Sequence, residues 1–203
     1  MIKITFMGAG STVFLRNVLG DCIYTDALKG MEIALYDIDG QRLEQSAAIL
    51  EAINKGNGCP ASIRSYLGAE NRRKALSGAD FVINAIQVGG YDPCTITDFE
   101  IPKKYGLRQT IGDTLGIGGI MRALRTIPVL EDFARDMEAV CPNAWFLNYT
   151  NPMSMLTGYM LRYTGVKTLG LCHSVQTCSK TLMDAIGMSD RLEGRRELIA
   201  GIN

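Results

Sequence analysis

The sequence lacks an excess of charge of either sign, since 21 basic residues face 21 acidic ones among 203. Nucleic acids and anionic membrane surfaces attract clustered positive charge, so this balance gives no reason to expect either as a partner. No apolar run reaches the roughly 18 residues that a membrane span needs. The N-terminus also lacks the basic region, apolar stretch and cleavage site of a secretory signal. We therefore expect a cytoplasmic protein.

Paired cysteine motifs are also missing, because the six cysteines are scattered without a C-x-x-C pair. They are predicted to be reduced thiols rather than a disulfide framework. The chain has a single histidine, which limits histidine-based chemistry to His173. The hydrophobic content of 47% is that of a globular domain with a buried core.

What is present begins with a glycine turn after an apolar strand predicted at 3–7. Gly8 allows a sharp turn at the strand tip, and Gly10 lets the backbone approach a pyrophosphate. The opening N–H groups of the next helix would then face that anion. Val13 stands where the G-x-G-x-x-G pattern has its third glycine, so a simple tight turn is the alternative. The residues assigned here to a cofactor site are Gly8, Gly10, Ser11 and Thr12.

An acidic residue follows the second predicted strand, at 31–36. Asp37 is expected to accept a hydrogen bond from the adenosine ribose, which favours NAD over NADP because its charge repels a 2′-phosphate. It lies farther beyond Gly10 than the usual spacing of about 20 residues, so a turn aspartate is the alternative interpretation. Asp39 is expected to be the N-cap of the next helix.

Four more strands are predicted, at 61–67, 80–86, 144–147 and 167–171. Helical patterns alternate with them, at 13–24, 40–55, 71–76, 97–105 and 120–140, with further helices starting at Pro152 and capped by Ser174. Proline is expected to interrupt the 97–105 helix and to kink the 120–140 helix. This alternation predicts an α/β fold: a doubly wound, Rossmann-like, mostly parallel six-stranded sheet with helices on both faces.

Polar and small residues recur where the later strands end. The stretch after the fourth strand ends in a second glycine turn, where a cofactor would contact Asn84, Gln87 and Val88. The glycine-rich stretch 109–119 surrounds Asp113 and reads as a flexible connector or a ligand-wrapping loop. Cys172 and His173 follow the sixth strand and could ligate a transition metal. Adjacent side chains on a strand point in opposite directions, so both seldom bind the same ion. The alternative is that His173 is a polar residue that binds no metal.

Six short motifs stand out together: Gly8-Ala9-Gly10-Ser11, Val88-Gly89-Gly90-Tyr91, Asp113-Thr114-Leu115-Gly116, Arg122-Ala123-Leu124-Arg125-Thr126-Ile127-Pro128, Asn148-Tyr149-Thr150-Asn151-Pro152 and Gly170-Leu171-Cys172-His173-Ser174. They resemble the glycoside hydrolases of family 4, and the last of them, with Asp113-Thr114, resembles the α-galactosidase branch. The resemblance implies an exception to two-carboxylate glycosidase chemistry. NAD would accept hydride from C3 of the sugar, and a divalent metal, usually Mn²⁺, would stabilise the enediolate formed by C2 deprotonation. Elimination, water addition and return of the hydride would follow.

The resemblance also implies roles for individual residues. Cys172 matches a thiolate metal ligand, and Asn148 and Asn151 match positions that hold sugar hydroxyls. Asp113 falls in the loop that lines the sugar pocket, while His173 stands where the phospho-glycosidase branch carries its proposed general acid. His173 and Asp113 are therefore the candidate catalytic residues. The implied substrate is an α-galactoside such as melibiose, and the implied assembly is a homo-oligomer.

We expect residues 1–195 to form the NAD-binding domain and residues 196–203 to begin a second domain that is otherwise absent. By the resemblance, the second metal ligand and the base would lie beyond Asn203, so the fragment is expected to be inactive alone. Two alternatives are kept. One is a 2-hydroxy-acid dehydrogenase of the malate or lactate type, and the other is a non-catalytic NAD-binding module.

Overall fold

A six-stranded sheet forms the centre of the molecule, in a computed structural model that describes residues 1–58, 61–109, 114–191, 193, 196 and 198. The strands are β1 (Lys3–Met7), β2 (Glu32–Asp37), β3 (Ser62–Leu67), β4 (Phe81–Asn84), β5 (Trp145–Asn148) and β6 (Lys167–Gly170). Their order is β3-β2-β1-β4-β5-β6, and all five neighbouring pairs are parallel. This is the strand order of the Rossmann fold. The predicted fold class is confirmed.

Seven helices in the described part of the chain alternate with these strands. They are α1 (Thr12–Tyr24), α2 (Gly40–Gly56), α3 (Arg72–Leu76), α4 (Ile96–Lys104), α5 (Gly116–Val140), α6 (Met153–Tyr163) and α7 (His173–Ala185). None of the helices described is both long enough and apolar enough to cross a bilayer. The predicted positions of the helices agree with these bounds, apart from the starts of α5 and α7.

Two separate apolar clusters cover the two faces of the sheet. Alternate residues of β1 face opposite sides, so Phe6 packs with α1 and α2 while Met7 packs with α3, α5 and α6. Both residues have no solvent exposure. Burial on both faces explains why the central strands are almost continuously apolar in sequence.

Helix α5 begins earlier than the sequence predicted. The glycine-rich stretch was expected to remain a loop up to Gly119, but the helix starts at Gly116. Gly119 lies so close to the preceding turn that a Cβ there would come within 2.8 Å of the carbonyl carbon of Thr114. Glycine at this position therefore serves helix packing rather than loop flexibility. The helix also continues through Pro128, which leaves the carbonyl of Leu124 without its helical donor on an exposed part of the surface.

Two smaller expectations were wrong. Helix α7 begins at His173 with Cys172 at its N-cap, so Ser174 lies inside the first turn and is not the cap. Helix α4 runs without interruption through Pro102. The cysteines in the described residues form no disulfide, as the sequence predicted.

Candidate cofactor and active site

The glycine turn after β1 is built around two close backbone approaches. Gly8 has φ +87°, and a Cβ there would lie 2.7 Å from the carbonyl oxygen of Ala85, so both conformation and space require glycine. The N–H groups of Gly8 and Ala9 both donate to the carbonyl of Tyr36, each at 3.0 Å. These bonds hold the turn against the tip of β2 and aim the chain at helix α1.

The N-terminus of α1 is open to a ligand. Ser11 is its N-cap residue, but the Ser11 side chain makes no capping hydrogen bond. A Cβ on Gly10 would lie 2.9 Å from Asp37 Oδ2, so a side chain at this second glycine would displace the Asp37 carboxylate. An uncapped helix start behind a tight glycine turn is the arrangement that binds a pyrophosphate. The residues therefore fit a dinucleotide.

Asp37 at the tip of β2 already holds the turn through its carboxylate. Its Oδ2 accepts from the Gly10 N–H at 2.5 Å, and its Oδ1 accepts from the N–H groups of Ile38 and Asp39 at 2.8 and 2.9 Å. The ribose contact predicted for Asp37 stays a prediction, to which the structure adds a role in shaping the turn. Asp39 caps α2 as expected, since its Oδ1 accepts from the N–H of Arg42 at 3.1 Å.

Two predicted ligand-binding asparagines lie side by side in the core. Asn84 and Asn148 end β4 and β5 in register, and both have no solvent exposure. Asn84 Nδ2 donates to Asn148 Oδ1 at 2.9 Å and to Thr150 Oγ1 at 3.1 Å. Asn148 is fixed in turn by the backbone of Thr150, which donates to its Oδ1 and accepts from its Nδ2, each at 3.2 Å. In this state the two amides shape the strand tips, and their predicted ligand contacts stay predictions.

One acceptor in this network has no hydrogen-bond donor among the described residues. Asn84 Oδ1 is buried and receives no hydrogen bond from the described residues. The amide of Asn84 cannot be reversed without placing two oxygens together, because Asn148 Oδ1 faces it. An unsatisfied buried acceptor is costly, so a donor supplied here by a bound molecule would be favourable.

The loop after β4 carries Gln87 and Val88 and is anchored from α5. Gln87 donates through Nε2 to Thr95 Oγ1 at 3.3 Å, across a wide turn at Gly90–Thr95. The carbonyl of Val88 accepts from Arg125 Nε at 3.2 Å. Sequence reasoning did not assign Arg125 to the site. No periodic or local signal pairs it with this loop, because the two segments are far apart in the chain.

Two adjoining clefts at the carboxyl edge of the sheet connect these parts. The larger is about 860 Å³ and is bordered by α1, the end of β6 and the segment after β5. The smaller is about 200 Å³ and lies between α1 and the tips of β4 and β5. Ser11, Phe14 and Tyr149 line both clefts, so the two lie side by side. Predicted site residues that border one or both are Ser11, Gln87, Asn151 and Cys172.

Aromatic contacts form the floor between the clefts. The rings of Phe14 and Tyr149 meet edge to face, with 4.8 Å between their centroids. Burial raises the pKa of the Tyr149 hydroxyl, so this group stays neutral at physiological pH. Sequence reasoning missed both rings as site residues, since an aromatic at helical spacing on α1 reads as a core position.

The acidic and metal-binding predictions are less complete. Asp113 and the side chain of His173 lie outside the described residues, as does most of 196–203. In the part of the chain that is described, no group of three or more His, Cys, Asp or Glu side chains comes together. Cys172 borders the larger cleft at the start of α7. The described residues therefore supply one candidate ligand and not a complete metal site.

Comparison with known proteins identifies the family. The model for family 4 glycosyl hydrolases matches residues 3–188. The chain belongs to this family. This membership favours the glycosidase interpretation over the hydroxy-acid dehydrogenase alternative.

Individual family 4 relatives extend the comparison. The chain is 63% identical to an alpha-galactosidase of Bacillus subtilis over 203 residues, which are all of this chain and 46% of that protein. A solved structure of the glucosidase lplD from Bacillus subtilis has 33% identity and a TM-score of 0.79, over 95% of this chain and 42% of that one. A 6-phospho-beta glucosidase from Thermotoga maritima, solved with manganese, NAD+ and glucose-6-phosphate, shares the fold with a TM-score of 0.77, at 24% identity over 92% of this chain and 43% of that one. The chain thus spans less than half the length of each.

Proposed function

We propose that this family 4 chain is the NAD-binding portion of an α-galactosidase that works by oxidation and elimination. The observation that carries the proposal is the uncapped start of α1 behind Gly8 and Gly10, which opens into the cleft bordered by Cys172. The identity to an alpha-galactosidase supports the sugar class. The proposed substrate is an α-galactoside such as melibiose, and the proposed setting is a cytoplasmic homo-oligomer.

The residues of this chain would bind and orient the cofactor. Gly8 and Gly10 admit the pyrophosphate to the backbone, and the positive end of the α1 dipole stabilises its charge. Asp37 selects NAD over NADP by repulsion of a 2′-phosphate. A nicotinamide bound in the clefts supplies a hydride acceptor for the sugar. Cys172 and Asn151 line the same clefts, at positions where they would meet the sugar end of the site.

The proposal for the complete enzyme also includes a bound divalent metal. Mn²⁺ is favoured because it accompanies NAD+ in the related glucosidase structure, and the thiolate of Cys172 is a suitable ligand for such an ion. His173 and Asp113 stay the proposed acid candidates. The second proposed function, a non-catalytic NAD-binding module, shares the cofactor site and differs only in turnover.

Calorimetric titration of the chain with NAD⁺ and NADP⁺ tests the cofactor site. We expect NAD⁺ to bind, and NADP⁺ to bind at least about tenfold more weakly, because a like-charge contact costs on the order of 1.4 kcal/mol or more. The Gly8→Ala variant should lose binding. Gly30→Ala is the matched control, since Gly30 also has a positive φ but open space around its Cβ position. Absence of NAD⁺ binding by the folded wild-type chain would contradict the proposal.

Hydrolysis of an aryl α-galactoside separates the two functions. The assay uses the full-length product of the reading frame, stripped of NAD⁺ and metal and then resupplied with each. Activity that requires both additions supports the oxidation and elimination mechanism. NAD⁺ binding without turnover of galactoside, galacturonide or 6-phospho-glycoside substrates would instead favour the non-catalytic module.

A further inference from the structure

Arg125, on α5, makes three hydrogen bonds with one guanidinium group. Its Nη1 and Nη2 donate to Asp98 Oδ1 and Oδ2 at 3.1 and 2.7 Å, and its Nε donates to the carbonyl of Val88 at 3.2 Å. The planar fork of the guanidinium group binds the carboxylate through two parallel hydrogen bonds and leaves Nε for the carbonyl. One side chain therefore joins α5 both to α4 and to the loop after β4.

The carboxylate that Arg125 binds is buried, so the ion pair resists separation. The side chain of Asp98 is 2% exposed and that of Arg125 is 25% exposed. A buried carboxylate without a cationic partner is strongly unfavourable, so α4 cannot move away from Arg125 without a large cost. The hydrogen bonds from Arg125 to Asp98 also raise the pKa of the guanidinium against the effect of burial, so its charge is permanent.

The loop backbone is shaped to receive this side chain. Gly89 has φ +85°, and a Cβ there would lie 3.1 Å from Arg125 Nε and would overlap the side chain of Cys94. Gln109 adds a second link, since its Nε2 donates to the Asp98 carbonyl at 3.2 Å while its Oε1 accepts from the Gly118 N–H at 3.1 Å. Arg125 thus holds the loop after β4 to α5, and Gln109 further ties α4, which follows that loop, to the start of α5.

We propose that Arg125 is a positioning residue for the cofactor site: it fixes the loop that carries Gln87 and Val88 against α5 and so pre-forms one wall of the smaller cleft. The inference rests on the proposed function, since it takes the cofactor bound at this wall to be NAD. Loss of Arg125 would weaken binding, because a loosened loop must be ordered again when the dinucleotide binds.

The test compares Arg125→Met with Arg72→Met. Arg72 also pairs with a buried aspartate of α5, away from the loop, so Arg72→Met removes an arginine contact to a buried carboxylate without changing the loop. For Arg125→Met we expect NAD⁺ affinity to fall about tenfold, the amount expected from one lost charged hydrogen bond. Arg72→Met should lower thermal stability and leave affinity within about twofold of wild type. Arg125→Lys, which keeps the charge without the fork, should recover only part of the affinity.

Hydrogen exchange gives a readout that does not depend on NAD⁺. Amides of residues 88–95 should exchange at least about tenfold faster in Arg125→Met and in Asp98→Asn, and at the wild-type rate in Arg72→Met. Asp98→Asn keeps the size of the side chain but removes the charge that Arg125 binds. It replaces Arg125→Met if that variant does not fold. Equal affinity losses in the Arg125 and Arg72 variants, or unchanged exchange in the loop, would overturn the inference. If wild type does not bind NAD⁺, the proposed function fails, and the exchange data alone still decide whether Arg125 fixes the loop.

Discussion

The two ends of α5 use the same chemistry for different purposes. Near its start, Arg125 of α5 binds the buried Asp98 of α4 and also the carbonyl of Val88. Near its end, Asp136 of α5 accepts from Arg72 Nε and Arg73 Nε of α3 at 2.6 and 2.7 Å. The first cluster includes loop backbone at the strand tips, whereas the second joins side chains of α3 and α5.

The difference lies in what each arginine touches beyond its carboxylate. Arg72 lies over the ring of Phe133, with 5.1 Å between its guanidinium carbon and the ring centroid, so its second contact is with the core. The second contact of Arg125 is with the loop that borders the candidate site. An ion pair alone therefore does not indicate a function. The groups that its arginine contacts besides the carboxylate must also be known.

Loss of the Asp136 carboxylate should give the largest effect on stability. Asp136→Ala leaves Arg72, whose side chain is 16% exposed, without its partner. We expect the free energy of unfolding in urea to fall by about 3 kcal/mol. Affinity for NAD⁺ should be unchanged. A loss of affinity comparable with that of Arg125→Met would break the distinction between the two ends.

Acid should weaken the cluster of Asp136, Arg72 and Arg73 by a smaller amount. Burial opposes the charge on Asp136, but hydrogen bonds from Arg73 and Arg72 outweigh it and hold the pKa of this carboxyl below its ordinary value. A lowered folded-state pKa contributes stability that is fully present above the unfolded pKa of about 3.9 and is lost as the pH falls through the folded value.

Chemical denaturation from pH 6 to pH 2 measures this contribution. Wild type should exceed Asp136→Asn in free energy of unfolding by a constant amount above about pH 5, and the difference should shrink below about pH 4. A difference that grows toward acid would have the wrong sign for a lowered pKa.

The smallest effects are expected from the exposed partners on the same elements. Arg73 contacts the same carboxylate as Arg72, but its side chain is 66% exposed. Arg73→Ala should cost at most about 1 kcal/mol, and Glu131→Ala, which removes the exposed pair with Arg135, at most about 0.5 kcal/mol. Thermal denaturation at low and high salt checks both. An Arg73→Ala effect as large as that of Asp136→Ala would show that exposure does not rank these contacts.

Sequence reasoning succeeded where the signal is local. The turn at Gly8 and the cap at Asp39 depend on residues within one strand–turn–helix unit, and parallel strands follow from the alternation of apolar runs with helices. The start of α5 was placed too late because Gly116 and Gly119 read as a loop. Gly116 has φ +67° and lies beside Gln109, and Gly119 packs against Thr114, so these roles become visible only once the packing is known.

The rest of the site depends on contacts between distant segments. Asn84 meets Asn148 only because β4 and β5 are neighbours in register, and the two are 64 residues apart. Arg125 and Asp98 are 27 residues apart and lie on two different helices. Neither pairing has a periodicity or a spacing that a single sequence displays, since each is set by sheet order and helix packing.

The register of β5 also provides an optical probe. Trp145, the single tryptophan of the chain, is the first residue of this strand and Asn148 is the last. At about 3.3 Å per residue, the indole lies roughly 10 Å along the strand from the edge that borders the clefts. Its emission overlaps the absorption of a reduced nicotinamide, so energy transfer from this ring would report NADH bound at that edge without any label.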